Sequence, residues 1–472
     1  MTLARQVWRS TAWTAFGSQT VAAFSLATSI MIARALAPHE LGRYALVAAI
    51  VAITTSAGSL QMNGFCIIVD ELTPGLLRSS LGIELTAGVT AFVVINAGAA
   101  VYGATAQDFT FAGLLSLASV VLLTNPFGVI ASKCNRELAY GMTTCAQIAA
   151  QLVGAVAKVV LALAGFGAWG LVIGDVLISA VFASIMLVRI PDGRGIALDR
   201  TATRAQLAFG IPSLLTGVLS TAAQRGQDIV VAVALGTRQL GFFYLAARLS
   251  GQVYQLGRSL TLALLPAFSR ARDSDLRRRY VAVTRLSAFF VGIPLAVLLV
   301  GASDLVSAIF GRRWIPAAVP LVLLFAAVAV RFVFWHVGNL LKARGRVREM
   351  TVLTAIQLVL VLGGSYSGAR VGGLVGLAAV ALTVELVLTL PKLALIRSVI
   401  PFSPWGALRA PLVTALACSA VGAAIFAALP GTPGLLVAAA AIAVIGLLGL
   451  WLSEASSVLV AVSALRRNAD AL

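Results

Sequence analysis

Two neighbouring apolar segments carry a heavy load of hydrogen-bonding and charged side chains. Gln224, Arg225, Gln227 and Asp228 fall inside the first, and Arg248, Gln252, Gln255, Arg258 and Ser259 inside the second. Arg248, Gln252, Gln255 and Ser259 follow one another at i, i+4, i+7 and i+11, the spacing of a single helical stripe. Guanidinium and amide groups supply directed donors and, for arginine, fixed charge, which suits holding a polar molecule rather than breaking a bond. An ionised group in lipid-like surroundings costs several kcal/mol unless it faces a bundle interior or a wet cavity, so this pattern predicts an aqueous path between helices. Lys158 and Arg331, also within apolar runs, are expected to join that lining. The acids Glu84, Asp175, Asp228 and Glu385 lie within apolar runs too. Each either neutralises a buried Arg or Lys or takes and releases a proton during a cycle, and Asp228 ranks first because it shares the central cluster.

Positioning these groups requires membrane-spanning helices. The 472 residues are 60% hydrophobic and 11% charged, with a mean hydropathy of +0.98, more apolar surface than a soluble domain could bury. The expected class is an all-α polytopic membrane protein. Apolar runs long enough to cross about 30 Å of hydrocarbon cover roughly 12–36, 43–64, 81–104, 109–131, 138–164, 167–189, 208–235, 241–268, 281–301, 315–341, 350–369, 372–391, 407–430 and 433–453, about fourteen in all. A formal charge of +18 would suggest nucleic acid in a soluble protein. Here the basic residues sit mostly in short loops, where they set orientation instead, and no nucleic-acid partner is expected. With a cytoplasmic N-terminus, groups such as Arg277, Arg278, Arg279, Arg344, Arg346 and Arg348 fall inside, whereas only Arg34, Arg43, Arg238, Arg312, Arg313 and Arg370 fall outside. That excess, roughly four to one, places both termini in the cytoplasm.

An internal repeat refines the plan. Ala35 to Tyr44, containing Leu41-Gly42-Arg43-Tyr44, is echoed about 199 residues later by Ala234 to Phe243, containing Leu240-Gly241-Phe242-Phe243. Both copies fall in a turn between the first two helices of a six-helix block, so two lobes of the same topology are expected, with two helices left over. The division is 1–190 for the first lobe, 191–206 for a cytoplasmic linker broken by Pro191 and Gly193, 207–397 for the second lobe, and 398–472 for the last two helices and a short tail. Ser18, Ser25, Thr28 and Ser29 supply a milder polar stripe on the first helix, so the path is expected between spans one, two, seven and eight. Pro266 and Pro294 are candidate hinges.

The echoed turns, together with Leu265-Pro266-Ala267-Phe268-Ser269-Arg270, Phe310-Gly311-Arg312-Arg313-Trp314-Ile315-Pro316-Ala317 and Asn339-Leu340-Leu341-Lys342-Ala343-Arg344-Gly345, resemble the polysaccharide transporter (Wzx-type oligosaccharide flippase) branch of the MOP superfamily. The resemblance covers nearly the whole chain and extends to the MATE multidrug exporters and the lipid II flippase. It implies a MOP/MATE-like fold in a bacterial inner membrane. The implied cargo is a polyprenyl-pyrophosphate-linked oligosaccharide for exopolysaccharide, capsule or O-antigen, with membrane lipid, polysaccharide polymerase and glycosyltransferases as partners. Lipid II flipping and MATE-type drug or cation antiport are the alternatives, although an arginine-rich path would repel cations. Proton coupling, sodium coupling and downhill flipping are all compatible with the sequence.

Catalysis has no support. The chain lacks a P-loop, an HExxH pair and a GxSxG elbow, and has two histidines, His39 and His336, the latter expected to be an ordinary packed residue. Cys66, Cys134, Cys145 and Cys418 show no metal-ligand spacing and are expected to be small core residues. Arg285, near the inner end of span nine, is expected to play a structural part. No enzymatic activity, metal or cofactor is expected.

Overall fold

The structure, a computed structural model, describes residues 3–137, 139–193, 195–196, 200–261, 273–344 and 346–470. Among them there are helices and no strands. In order they are α1 (Leu3–Ala35), α2 (Pro38–Ala57), α3 (Met62–Ile68), α4 (Pro74–Ala106), α5 (Phe109–Ser119), α6 (Val121–Thr124), α7 (Ala131–Arg136), α8 (Tyr140–Leu163), α9 (Ala168–Arg189), α10 (Arg200–Leu235) and α11 (Thr237–Thr261). Then follow α12 (Asp273–Phe310), α13 (Ala318–Val333), α14 (His336–Ala343), α15 (Val347–Arg397), α16 (Pro404–Ala428) and α17 (Thr432–Asp470), with 3-10 stretches at Asn125–Ile130, Pro191–Gly193 and Arg312–Ala317. Eleven described segments are long and apolar enough to span a membrane. With α1, α11 and the second limb of α15, they reproduce the fourteen spans read from the sequence.

The helices start where the sequence supplies partners for their free N–H groups. Thr73 and Asp108 accept from Leu76 N and Phe111 N at 3.2 and 3.0 Å, Ser403 accepts from Gly406 N at 3.3 Å, and Pro74 and Pro404 sit at first-turn positions. At the start of α2 the Glu40 carboxylate accepts from Ala37 N at 3.2 Å. Two tight hairpins turn on left-handed glycines: Gly167 (φ 57°, ψ −134°) between α8 and α9, and Gly373 (φ 59°, ψ −142°) between the two limbs of α15.

The chain forms two compact units, Met1–Gly241 and Phe242–Leu472. In the first, Leu81, Ile130, Met186 and Ile190 form one buried cluster, and Met62, Cys66, Leu77 and Val129 another. Gln206, fully buried, fastens α10 to α4 by accepting from Ser79 Oγ at 3.1 Å and donating to Ser80 Oγ at 2.9 Å. α2 and α10 are linked by the Ser56–Thr221 hydroxyl pair at 2.6 Å, and Gln61, at the start of α3, donates from Nε2 to Ser213 O in α10 at 3.0 Å. The two copies of the repeated turn meet here, reciprocally. A Cβ on Gly42 would overlap the Thr237 carbonyl oxygen, and one on Gly241 would overlap that of Pro38, so only glycine permits this approach of backbones.

In the second unit Tyr280 packs edge-on against Phe402, with ring centroids 5.5 Å apart, within a cluster that includes Phe332, Leu340 and Ile396. Trp314, from the Arg-Arg-Trp-Ile-Pro stretch, is fully buried against Phe242. α16 and α17 pack on α12 through Ala296, Cys418 and Ile442.

Three details depart from the sequence reading. The fourth span is not one continuous helix but is broken at Asn125–Ile130, because Pro126 has no N–H to give the Leu122 carbonyl. α12 breaks helical geometry at Gly301 (φ −150°, ψ 42°), where the ninth span was expected to end, but then continues as helix to Phe310. Cys145 is exposed rather than packed in the core, whereas Cys66, Cys134 and Cys418 are buried.

Candidate functional site

The polar residues of α10 lie within the first unit. Arg225 reaches Asp228 at 3.7 Å across one helical turn, with the carboxylate side chain 7% exposed and the guanidinium 45% exposed. The acid is therefore withdrawn while the cation keeps an open face. Gln224, also exposed, donates to Ser220 O at 3.2 Å, and Gln227 is half-buried. On α1, Thr28 and Ser29 donate to Phe24 O and Ser25 O at 2.7 and 2.6 Å, so those hydroxyls are held by their own helix. The Ser18 side chain lies outside the described residues.

The second unit repeats the arrangement with different partners. Glu385, 2% exposed, accepts from Arg331 Nε at 3.0 Å, from Gln357 Nε2 at 2.6 Å and from buried Lys392 Nζ at 3.1 Å, while the Arg331 side chain remains 44% exposed. Arg248 donates to Tyr244 Oη at 2.9 Å and lies over the same ring, and Gln252 is half-buried. The side chains of Gln255, Arg258 and Ser259, and the stretch holding Leu265 to Arg270, lie outside the described residues. Arg285 donates to Gly406 O at 2.8 Å and fastens α12 to α16, and His336 is buried against Ser287 at 2.7 Å.

Back in the first unit, Lys158 and Asp175 join α8 to α9 at 2.5 Å, and Tyr44 Oη donates to the other Asp175 oxygen at 2.7 Å. Gly174 leaves room for the lysine stem to lie across α9. Among the described residues Arg225 with Asp228 and Lys158 with Asp175 are separate pairs with no shared partner. Glu84 has a different setting. It is buried in the wall of a cavity of about 560 Å³ bounded by α2, α3, α4, the broken fourth span, α8 and α9, and it accepts from Met62 N at 2.7 Å and Ser59 Oγ at 3.3 Å. Sequence inspection placed the path on the arginine stripe and missed this cavity, whose amides come from distant segments. The Asn125-Pro126 dipeptide inside an apolar run was the available signal.

Two groups outside the spans complete the electrostatics. The Lys133 ammonium beside Asp192 holds that carboxyl below its ordinary value, and burial pushes the Cys66 thiol up. Arg136 caps the end of α3 by donating to the carbonyls of Val69 and of Asp70, the latter at 2.6 Å. Among the described residues no cluster of three or more His, Cys, Asp or Glu could hold a metal ion.

Comparisons with known proteins fit this fold. An uncharacterized membrane protein of the cps region of Klebsiella pneumoniae is 22% identical over 385 residues, covering 80% of this chain and 79% of its own length. The succinoglycan biosynthesis transport protein ExoT of Rhizobium meliloti (strain 1021) is 23% identical over 324 residues, 66% of this chain and 64% of its own. Among solved structures, the lipid II flippase MurJ in an inward closed conformation superimposes with a TM-score of 0.78 at 12% identity, covering 94% of this chain and 99% of MurJ. An inward-facing MATE multidrug transporter of the MOP superfamily gives 0.51 at 15% identity, over 81% and 99%. MurJ thus shares the fold of this chain, and the family described as polysaccharide biosynthesis protein matches residues 31–319, more than half of the sequence, so the chain belongs to that family.

Proposed function

We infer that the protein flips a polyprenyl-pyrophosphate-linked oligosaccharide from the cytoplasmic to the outer leaflet of a bacterial inner membrane, for assembly of a surface polysaccharide. The observation that carries this reading, beside family membership, is that Arg225 and Arg331 each stay about half open while the carboxylate that orients them is buried. A guanidinium held in this way keeps N–H groups free for a diphosphate, and the same charge disfavours a cationic drug as cargo. Arg248, Gln224, Gln227 and Gln252 extend the hydrogen-bonding surface, and Arg258 and Gln255 are assigned to it from their helical register.

Transport proceeds by alternating access between six-span lobes, 1–190 and 207–397, with both termini cytoplasmic. The Gly42–Gly241 crossing, at the outside turn of this topology, is the natural closure. Among the acids, Asp175 and Glu385 are engaged by cations at 2.5 to 3.1 Å, which suits fixed counter-ions. Asp228, whose cation stands at 3.7 Å, and Glu84, which has no cation partner among the described residues, are the proposed sites of proton or sodium coupling, Asp228 first. Polymerase and glycosyltransferases are the proposed protein partners.

The test is flipping of a fluorescent lipid-linked oligosaccharide in proteoliposomes. Arg225→Ala and Arg248→Ala are each expected to slow it about tenfold or more, the loss of a charge-assisted hydrogen bond. Wild-type rates in both variants would refute the assignment.

A further inference from the structure

The cavity around Glu84 has the wrong chemistry for a diphosphate. Among the described residues no lysine or arginine lines it, and its one acid, Glu84, is already engaged by Met62 N and Ser59 Oγ. Its polar side chains are otherwise neutral, among them Asn63, Asn125, Asn135, Thr143 and Gln147, and they alternate with apolar groups such as Leu122, Val129 and Phe182, with the Tyr140 ring alongside. Asn63, Asn125 and Gln147 are exposed and hold no protein hydrogen bond among the described residues.

Two backbone features point the same way. The fourth span is broken beside the void, at Asn125–Ile130, and irregular backbone at membrane depth is tolerated where it lines a polar space. Gln61, on the rim, is held left-handed at φ 53°, a conformation that persists in a non-glycine residue only where its surroundings enforce it. A volume of about 560 Å³ falls within the range of small-molecule sites, roughly 300–1,000 Å³. Amides and hydroxyls beside an aromatic face match a ring whose edges are hydroxyl groups and whose faces are C–H.

We propose that this cavity is a saccharide subsite which takes uncharged sugar residues of the cargo, apart from the arginines that hold the diphosphate. The proposal rests on the flippase reading for the source of the sugar, but the site itself is testable alone. It lies where α2 ends and α4 and α8 begin, the cytoplasmic end in the proposed orientation, where a newly made lipid-linked sugar would enter.

Full-length protein in lipid nanodiscs is titrated with cellobiose, maltose and N-acetylglucosamine, with binding read by saturation-transfer NMR and inorganic pyrophosphate as a control ligand. At least one sugar is expected to bind saturably, about tenfold more weakly in Asn125→Ala and Gln147→Ala, the loss of one hydrogen bond. Gly128→Phe, whose new side chain enters open space in the cavity wall, is expected to abolish the signal, while Arg248→Ala leaves it unchanged. Thermal unfolding of each variant separates lost binding from lost fold, and the exposed Gln147→Ala serves if Asn125→Ala does not fold. Absence of saturable binding by all three sugars, or binding that survives Gly128→Phe in a folded protein, overturns the subsite. Flipping without sugar binding leaves the flippase reading standing and removes the subsite, whereas sugar binding without flipping does the reverse.

Discussion

The hairpins that lead into the sixth and twelfth spans share a backbone and differ in what they carry. Gly167 and Gly373 adopt nearly the same left-handed geometry, 206 residues apart, and at the same offset Gly170-Leu171 corresponds to Gly376-Leu377. Further along, still at about that offset, Thr124 and Ser179 in the first unit share a hydroxyl hydrogen bond at 2.5 Å where the second unit has Arg331 and Glu385 at 3.0 Å. The turn and the small residues behind it specify the shape. Charge is added to that shape independently in each copy, so two lobes of one architecture present different surfaces to a cargo.

The widest gap between the copies is expected on deleting that second partner. Glu385→Ala strands Lys392, whose side chain is 8% exposed, together with the Arg331 guanidinium. Breaking a buried ion pair from one side costs about 3–5 kcal/mol, whereas Ser179→Ala loses one neutral hydrogen bond, about 1 kcal/mol. Thermal unfolding of the purified variants measures both. Equal losses would mean that the charged pair carries no more than its hydroxyl counterpart.

The turns themselves give the next contrast. Alanine at either Gly167 or Gly373 must adopt backbone angles that only glycine accepts readily, at a cost of order 1–3 kcal/mol. A Cβ at Gly373 meets nothing within 4 Å, but one at Gly167 would overlap the Glu40 carboxylate and push it away from Ala37 N. Gly167→Ala is therefore expected to be the more destabilising by about 1 kcal/mol, the Glu40 hydrogen bond. Adding Glu40→Ala should erase the difference, and its persistence in that double variant would assign it elsewhere.

How much of this was legible in the sequence follows from how far apart the informative residues lie. Spans and repeat could be read because a membrane helix announces itself in twenty contiguous residues, and because Leu41-Gly42 and Leu240-Gly241 sit in equivalent turns. The sequence shows those glycines only as a recurring pattern; their reciprocal contact with Pro38 and Thr237 needed coordinates. Asp228 and Arg225 stand one helical turn apart, so their spacing alone permits the contact, but nothing in the sequence joins Glu385 to Arg331, 54 positions away, since only tertiary packing brings α13 to α15. The cavity was the least legible of all. Asn63, Asn125 and Gln147 are each unremarkable alone, and the void exists because Pro126 interrupts a span that composition reads as continuous.

The smallest expected effect concerns the segment that follows each hairpin. In the first unit Asp192, just past α9, is clasped by Lys133, and in the second Ser398, just past α15, accepts from Arg346 Nη1 at 2.7 Å, again 206 residues on. Both ties hold the exit of a span to a cation from earlier in the same unit, Lys133 in α7 and Arg346 at the start of α15, but only the first contains a titrating acceptor. Lys133 depresses the Asp192 value in the folded chain, so the contribution of the clasp is fully present above the unfolded value of about 4 and fades as pH falls through the depressed one. Because the pair is exposed, the resulting acid-side slope is expected to be slight, and screened by salt. Asp192→Asn should flatten it while Ser398→Ala leaves it intact, as read from unfolding temperatures between pH 3 and pH 7 at low ionic strength, a pH range set by the ordinary carboxylate value of about 4. An unchanged slope in Asp192→Asn would place the titrating group elsewhere and make the two exits electrostatically equivalent after all.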